Sequence, residues 1–226
     1  MEVLRYSKKT NYFRMLYNYK LFLPFIISIL LVSKSFAQEE SRSLRLGFKY
    51  GIGTQQIFPY NSPDYTYKVS GYKGLINFQL KKYRILSFEM QFEPGIYVAR
   101  HQLLNEYFVQ PRCGADYLEK REIFTKEKTI TEYVINVGIL VRYNLKKRMS
   151  FFILGSVGPM FSDTETERLA KGFAFSDVLA LGVNYKVGKI MFEISPYLRH
   201  VSNANLQFPN CGHESFNIDF GISVFI

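Results

Sequence analysis

The stretch LRLGFKYGIG, residues 44–53, decides how this chain folds. Every even position in it carries a large apolar side chain, and every odd position carries Arg, Lys or Gly. A period of two places these two sets on opposite faces of a β-strand. The stretch therefore predicts a strand with one apolar face and one polar or small face.

The same alternation recurs along the chain. It is regular in residues 86–98, 130–143 and 216–226, and less regular in residues 67–80, 149–161, 173–185 and 190–202. These runs predict eight strands. Their connections alternate between short and long: the short ones lie near 81–84, 144–148 and 186–189, and the long ones near 55–66, 99–129, 162–172 and 201–213.

Two all-β arrangements can hold such strands. A soluble sandwich buries its apolar faces together, whereas a transmembrane barrel turns them outward to lipid and keeps a polar interior. Charged residues and glycines on the polar face suit a narrow barrel, and alternating short turns and long loops are typical of outer-membrane proteins. Tyr83, Tyr143 and Tyr185 beside the short turns suit an interfacial girdle. We predict an all-β, eight-stranded antiparallel transmembrane outer-membrane β-barrel, with the sandwich as the alternative.

The first 37 residues have the features of a secretion signal. The apolar run at 21–33 is too short for a spanning helix; basic residues precede it and Ser35-Phe36-Ala37 follows it. Small residues flanking a bulky one predict cleavage after Ala37. We therefore expect a signal peptide over 1–37, with Met15 as an alternative start, and a barrel domain over 38–226.

Composition excludes other classes of protein. The chain holds 29 Lys and Arg against 19 Asp and Glu, a net charge of +10, but no long basic block follows residue 37, which argues against nucleic-acid binding. Its 17 Tyr and 21 Phe argue against disorder. Cys113 and Cys211 lack the spacing of zinc ligands. Both fall in predicted external loops of an oxidising compartment, so we predict a disulfide between them, with two separate thiols as the alternative.

Three polar residues stand on the lipid-facing side of one hairpin. In the seventh predicted strand the apolar side chains occupy even positions up to Leu198, and this series continues to His200 and Ser202. In the eighth strand the even series begins at Glu214. Polar groups beside hydrocarbon are costly unless they satisfy one another. His200, Ser202 and Glu214 are therefore a candidate functional site on the outer surface of the barrel. The neighbouring His213 has the inward parity.

These residue types suit an esterase. Residues i and i+2 share a strand face, so the imidazole of His200 can take a proton from Ser202 as its oxygen attacks an ester. Glu214 on the antiparallel partner can orient the imidazole and stabilise its cationic form. An oxyanion needs donors, and Asn203, Asn205, Asn210 and the loop amides offer them.

The hairpin resembles the lipid A 3-O-deacylase family of outer-membrane esterases, related to bacterial acyloxyacyl hydrolases. The resemblance lies in Arg199-His200-Val201-Ser202-Asn203-Ala204, in Pro209-Asn210 with Gly212, and in Glu214 before a final strand. It implies an eight-stranded barrel with its site on the lipid-facing surface. The implied roles are base for His200, nucleophile for Ser202 and acid for Glu214, with Asn210 in the oxyanion hole.

The resemblance is incomplete at two positions. Asn205 stands where the family prefers Gly, although Asn tolerates left-handed backbone better than most residues, and Cys211 stands where Pro is usual. We expect a serine esterase that removes an acyl chain from lipid A of lipopolysaccharide in the bacterial outer leaflet, without metal or cofactor. A non-enzymatic barrel, an adhesin or structural protein, is the alternative. The sequence leaves the oligomeric state open.

Overall fold

Eight antiparallel strands close into one barrel. The structure, a computed structural model, describes residues 43–111 and 115–226. Each strand pairs with its neighbours in the chain, and β1 pairs with β8. The strands are β1 (Leu44–Thr54), β2 (Tyr65–Tyr83), β3 (Leu86–Leu103), β4 (Lys128–Asn144), β5 (Met149–Ser162), β6 (Gly172–Val187), β7 (Ile190–Ser202) and β8 (His213–Phe225). The predicted fold and strand number are confirmed, and the sandwich is excluded. The predicted signal peptide and Cys113 lie outside the described residues.

The barrel is apolar outside and polar inside, as the alternation predicts. In β7, Ile190, Phe192 and Ile194 are exposed, while Glu193 and Ser195 between them are buried. A soluble protein would bury the first set and expose the second. This inversion is the pattern of a wall that faces lipid.

Ion pairs fill the lumen. The guanidinium of Arg45 binds Glu89 at 2.9 Å, and Arg142 binds the same carboxylate at 2.6 Å. Nearer the long loops, Arg199 pairs with Glu132 at 2.7 Å. Further lumen pairs join Lys49 to Glu93 and Glu193, and Lys73 to Asp219. Because these charges are buried, each depends on its partner for stabilisation.

The two ends of the barrel differ. One carries the tight turns at 84–85, 145–148 and 188–189, and the other carries loops at 55–64, 104–127, 163–171 and 203–212. The β3–β4 loop contains a 3₁₀ turn (Glu106–Phe108) and one helix, α1 (Tyr117–Phe124), which strand patterning did not predict. In the described part of the chain no helix is both long and apolar enough to cross a membrane.

Candidate functional site

The last hairpin brings His200 and Glu214 together on the outer wall. They are direct register partners across β7 and β8. The imidazole Nδ1 lies 3.6 Å from the carboxylate Oε1, and the two side chains are 43% and 46% exposed. This separation is an ion-pair contact rather than a hydrogen bond. The pair predicted from parity therefore forms.

Ser202 lies on the same face, two residues beyond His200 at the end of β7. Its side chain is half-buried, and its β6 register partner is Phe175. Within residues 43–111 and 115–226 the Ser202 hydroxyl makes no side-chain hydrogen bond, so the structure places it beside His200 without joining the two. Catalytic hydrogen bonds often tighten only when substrate is bound.

The three predicted asparagines form one network in the 203–212 loop. Asn203 is fully buried, and its Nδ2 donates to the carbonyl oxygens of Gln207 at 2.9 Å and Pro209 at 3.2 Å. Asn210 accepts from the Asn203 backbone N–H at 2.7 Å and donates to Asn205 Oδ1 at 3.1 Å. The Nδ2 group of Asn203 is thus committed to holding the loop.

The loop begins with a tight left-handed turn immediately after Ser202 and Asn203. Ala204 and Asn205 have φ values of 51° and 60°, and Leu206 donates to the Asn203 carbonyl at 3.0 Å. Left-handed backbone is unfavourable for residues with a Cβ and least so for Asn. Asn205 therefore fits the position where the resembling family prefers Gly. The turn directs its own backbone N–H groups to the region next to the Ser202 backbone.

Gly212 packs against the backbone between His200 and Ser202. Its φ is +72°, and a Cβ at this position would lie 2.4 Å from the Val201 carbonyl oxygen and 3.3 Å from His200 Cε1. No side chain fits there without moving the hairpin. The glycine in the sequence motif thus has a steric reason.

The β5–β6 loop braces the same hairpin. Arg168 Nε donates to the Gly212 carbonyl at 2.7 Å, and the backbone N–H groups of Cys211 and Gly212 donate to the Arg168 carbonyl. His213 points into the lumen, as its parity predicts, and stacks on Tyr67 with ring centroids 4.9 Å apart. It is fully buried and does not face the membrane.

Two residues near the site were missed at the sequence level. Asp177 of β6 is the register partner of His200 on the side opposite Glu214, and it is exposed on the outer wall. It is a charge within an otherwise apolar lipid-facing series, so the parity rule could have found it. Tyr60 comes from the β1–β2 loop; its pKa is raised by partial burial and by the negative charge of Glu214. No local pattern announces that approach.

Cys211 is exposed and has a free thiol in the structure. Its predicted partner, Cys113, lies outside the described residues, so the disulfide stays a prediction.

These features define a class: an outer-membrane barrel that carries a cluster of nucleophile, base and acid types on its lipid-facing wall. The sequence model of the family described as Lipid A 3-O-deacylase (PagL) matches residues 42–223. The chain belongs to this family, and it is an outer-membrane lipid A deacylase, an ester hydrolase whose substrate is lipid A.

Solved structures agree on the fold. The crystal structure of the outer membrane enzyme PagL superposes with a TM-score of 0.51 at 14% identity, covering 77% of this chain and 97% of that one. Neisserial surface protein A is more distant, with a TM-score of 0.43 at 10% identity, covering 82% and 99%. LpxR from Salmonella typhimurium gives a TM-score of 0.29 at 9% identity, covering 80% and 100%. No curated protein sequence matches the chain.

Proposed function

We propose that the deacylase reaction runs on Ser202, His200 and Glu214, on the outer surface of the barrel. The observation that carries the proposal is the His200–Glu214 contact at 3.6 Å, with Ser202 on the same face of β7. Charged and titratable groups on a lipid-facing wall are unfavourable without a role. Here three of them meet at one hairpin.

The chemistry follows the roles of a serine triad. The Ser202 oxygen attacks the ester carbonyl carbon of the acyl chain while His200 takes the hydroxyl proton. The tetrahedral intermediate collapses, and the sugar oxygen leaves with that proton. Water, deprotonated by His200, then attacks the acyl-enzyme and releases a fatty acid and free Ser202. Glu214 stabilises the imidazolium in both steps.

The oxyanion donors come from the loop that follows Ser202. The Nδ2 group of Asn203 is occupied by loop carbonyls, so its backbone neighbours are the better source. The N–H groups of Ala204 and Asn205 donate to no other backbone group in the described part of the chain. The Nδ2 group of Asn210, anchored on Asn205, is the adjacent side-chain donor. Such donors stabilise the negative charge that develops in the transition state.

Asp177 is a positioning residue for the same base. Directly paired residues on antiparallel strands have Cβ atoms about 4.5–5.5 Å apart, so the two register partners of His200 put a carboxylate on each side of the imidazole. Two flanking carboxylates restrict the ring and favour its cationic form.

The site is accessible from the membrane. Its hairpin lies at the long-loop end, which is the cell-surface end in outer-membrane barrels. A lipid A molecule in the outer leaflet therefore reaches Ser202 sideways, without entering the lumen. This arrangement requires export of the precursor, in keeping with a signal peptide at 1–37.

The test is Ser202→Ala, read by mass spectrometry of lipid A from expressing cells. Turnover should fall on the order of 10⁴-fold while the barrel still folds. Ser70→Ala is the matched control, because Ser70 is another outward-facing serine, on β2, with apolar register partners Ile52 and Val98. The control should leave deacylation unchanged. Equal deacylation by Ser202→Ala and wild type would refute the triad and favour a non-enzymatic barrel.

A further inference from the structure

The outer wall carries an apolar groove at the height of the site but on other strands. It has a volume of about 590 Å³ and crosses β2 to β6. Its lining includes Tyr72, Pro94, Ile96, Ile135, Pro159 and Phe173. It is open to the lipid side and holds no charged side chain. The groove therefore suits a hydrocarbon chain.

The groove exists because small and cyclic residues interrupt the wall. Pro159 on β5 stands opposite Ile135 on β4, and the hydrogen-bonded pairing is interrupted there. Gly74 on β2 stands opposite Pro94 on β3, at a second interruption. Pro has no N–H to donate to the ladder, and Gly has no side chain to fill the wall. Large side chains on either side then form the banks.

The register connects this groove to Ser202. From Ser202, successive partners across β6, β5, β4, β3 and β2 are Phe175, Pro159, Ile135, Pro94 and Gly74. Phe175 lies between the nucleophile and the groove, and its ring contacts Phe173 on the near bank at 5.0 Å. The groove is thus the lateral continuation of the site along the hydrogen-bonding direction.

The same path descends into the membrane. Continued through Phe48 of β1 and Ile222 of β8, it returns to β7 at Phe192, ten residues from Ser202 toward the short-turn end. The path is a spiral that begins at the loop rim and sinks toward the middle of the wall. A chain attached to an ester at Ser202 has to run in this sense.

We propose that this groove binds the acyl chain of the ester that Ser202 cleaves, and that it sets the preference for chain length. The inference rests on the proposed function. From β7 to β4 the path spans three strand spacings, about 14 Å. Long chains therefore reach Ile135 and short chains do not.

The experiment compares kcat/KM for a myristate and a butyrate p-nitrophenyl ester, with the full chain folded in detergent micelles. Ile135→Trp fills the groove, and the milder Ile135→Phe replaces it should the first fail to fold, as judged by heat-modifiable electrophoretic mobility. Leu181→Trp is the matched control, since Leu181 is also an exposed lipid-facing aliphatic residue but lines a separate groove nearer the short turns. Ser202→Ala is measured in parallel.

The Ile135 variant should lower the myristate-to-butyrate ratio about tenfold, the scale of discrimination in apolar pockets, with butyrate hydrolysis unchanged. Leu181→Trp should leave the ratio at the wild-type value. An unchanged ratio in the Ile135 variant, or an equal fall in the control, would overturn the inference. Undiminished hydrolysis by Ser202→Ala would instead overturn the proposed function, so the two failures are distinct.

Discussion

Replacing Gly212 by Ala tests whether the hairpin geometry controls catalysis. The new Cβ would lie 2.4 Å from the Val201 carbonyl oxygen, and the backbone there is left-handed, with φ +72°. The left-handed conformation costs about 1–2 kcal/mol for a residue with a Cβ. The clash falls on rigid backbone between His200 and Ser202, so the hairpin has to shift. A displacement of about 1 Å at a catalytic group costs about 100-fold in rate.

Gly188→Ala is the matched control for this change. Gly188 also has a left-handed φ, +60°, but nothing lies within 4 Å of its added Cβ, and it sits in the β6–β7 turn at the far end of the barrel. Both variants pay the same backbone cost, and only Gly212→Ala clashes. Ester hydrolysis in micelles should fall about 100-fold for Gly212→Ala and stay near wild type for Gly188→Ala. Equal activities in the two variants would refute the reasoning.

Three further changes probe the base, the lumen and the turn. Asp177→Asn should lower kcat about tenfold with KM nearly unchanged, less than Glu214→Gln does, and Asp177→Glu should recover part of the loss; a change confined to KM would contradict a positioning role. Glu132→Gln leaves the buried Arg199 without its carboxylate, so the free energy of unfolding should fall by about 3–5 kcal/mol in urea titrations followed by circular dichroism. A loss below 1 kcal/mol would contradict the importance of this pair. Asn205→Gly should keep ester hydrolysis within about threefold of wild type, because the position is already left-handed; a large loss would assign the asparagine side chain a direct role.

The strands could be predicted from the sequence because their two faces have opposite solvents. Alternation along residues 44–53 and along β7 fixed which residues face outward, and the same parity identified His200, Ser202 and Glu214 as exceptions. Register between β7 and β8 then followed from a short connection. The direct pairing of His200 with Glu214 is the consequence.

The remaining features depend on contacts between distant parts of the chain. Parity assigns a face but not a partner, so Asp177 could be placed beside His200 only once the β6–β7 register was known. The brace from Arg168 joins two loops that have no periodicity. The inward commitment of Asn203 depends on the conformation of the loop around it. The helix α1 lies within a long connection, where strand patterning gives no signal.

Labelling of the folded protein with a fluorophosphonate most directly tests the claim that Ser202 is the nucleophile on the outer wall. The reagent forms a covalent phosphonate with an activated serine, and digestion followed by mass spectrometry locates it. We predict a single adduct on the peptide that contains Ser202, lost in His200→Ala and retained in Ser70→Ala. An adduct on another residue, or labelling of Ser202 that persists without His200, would contradict the account.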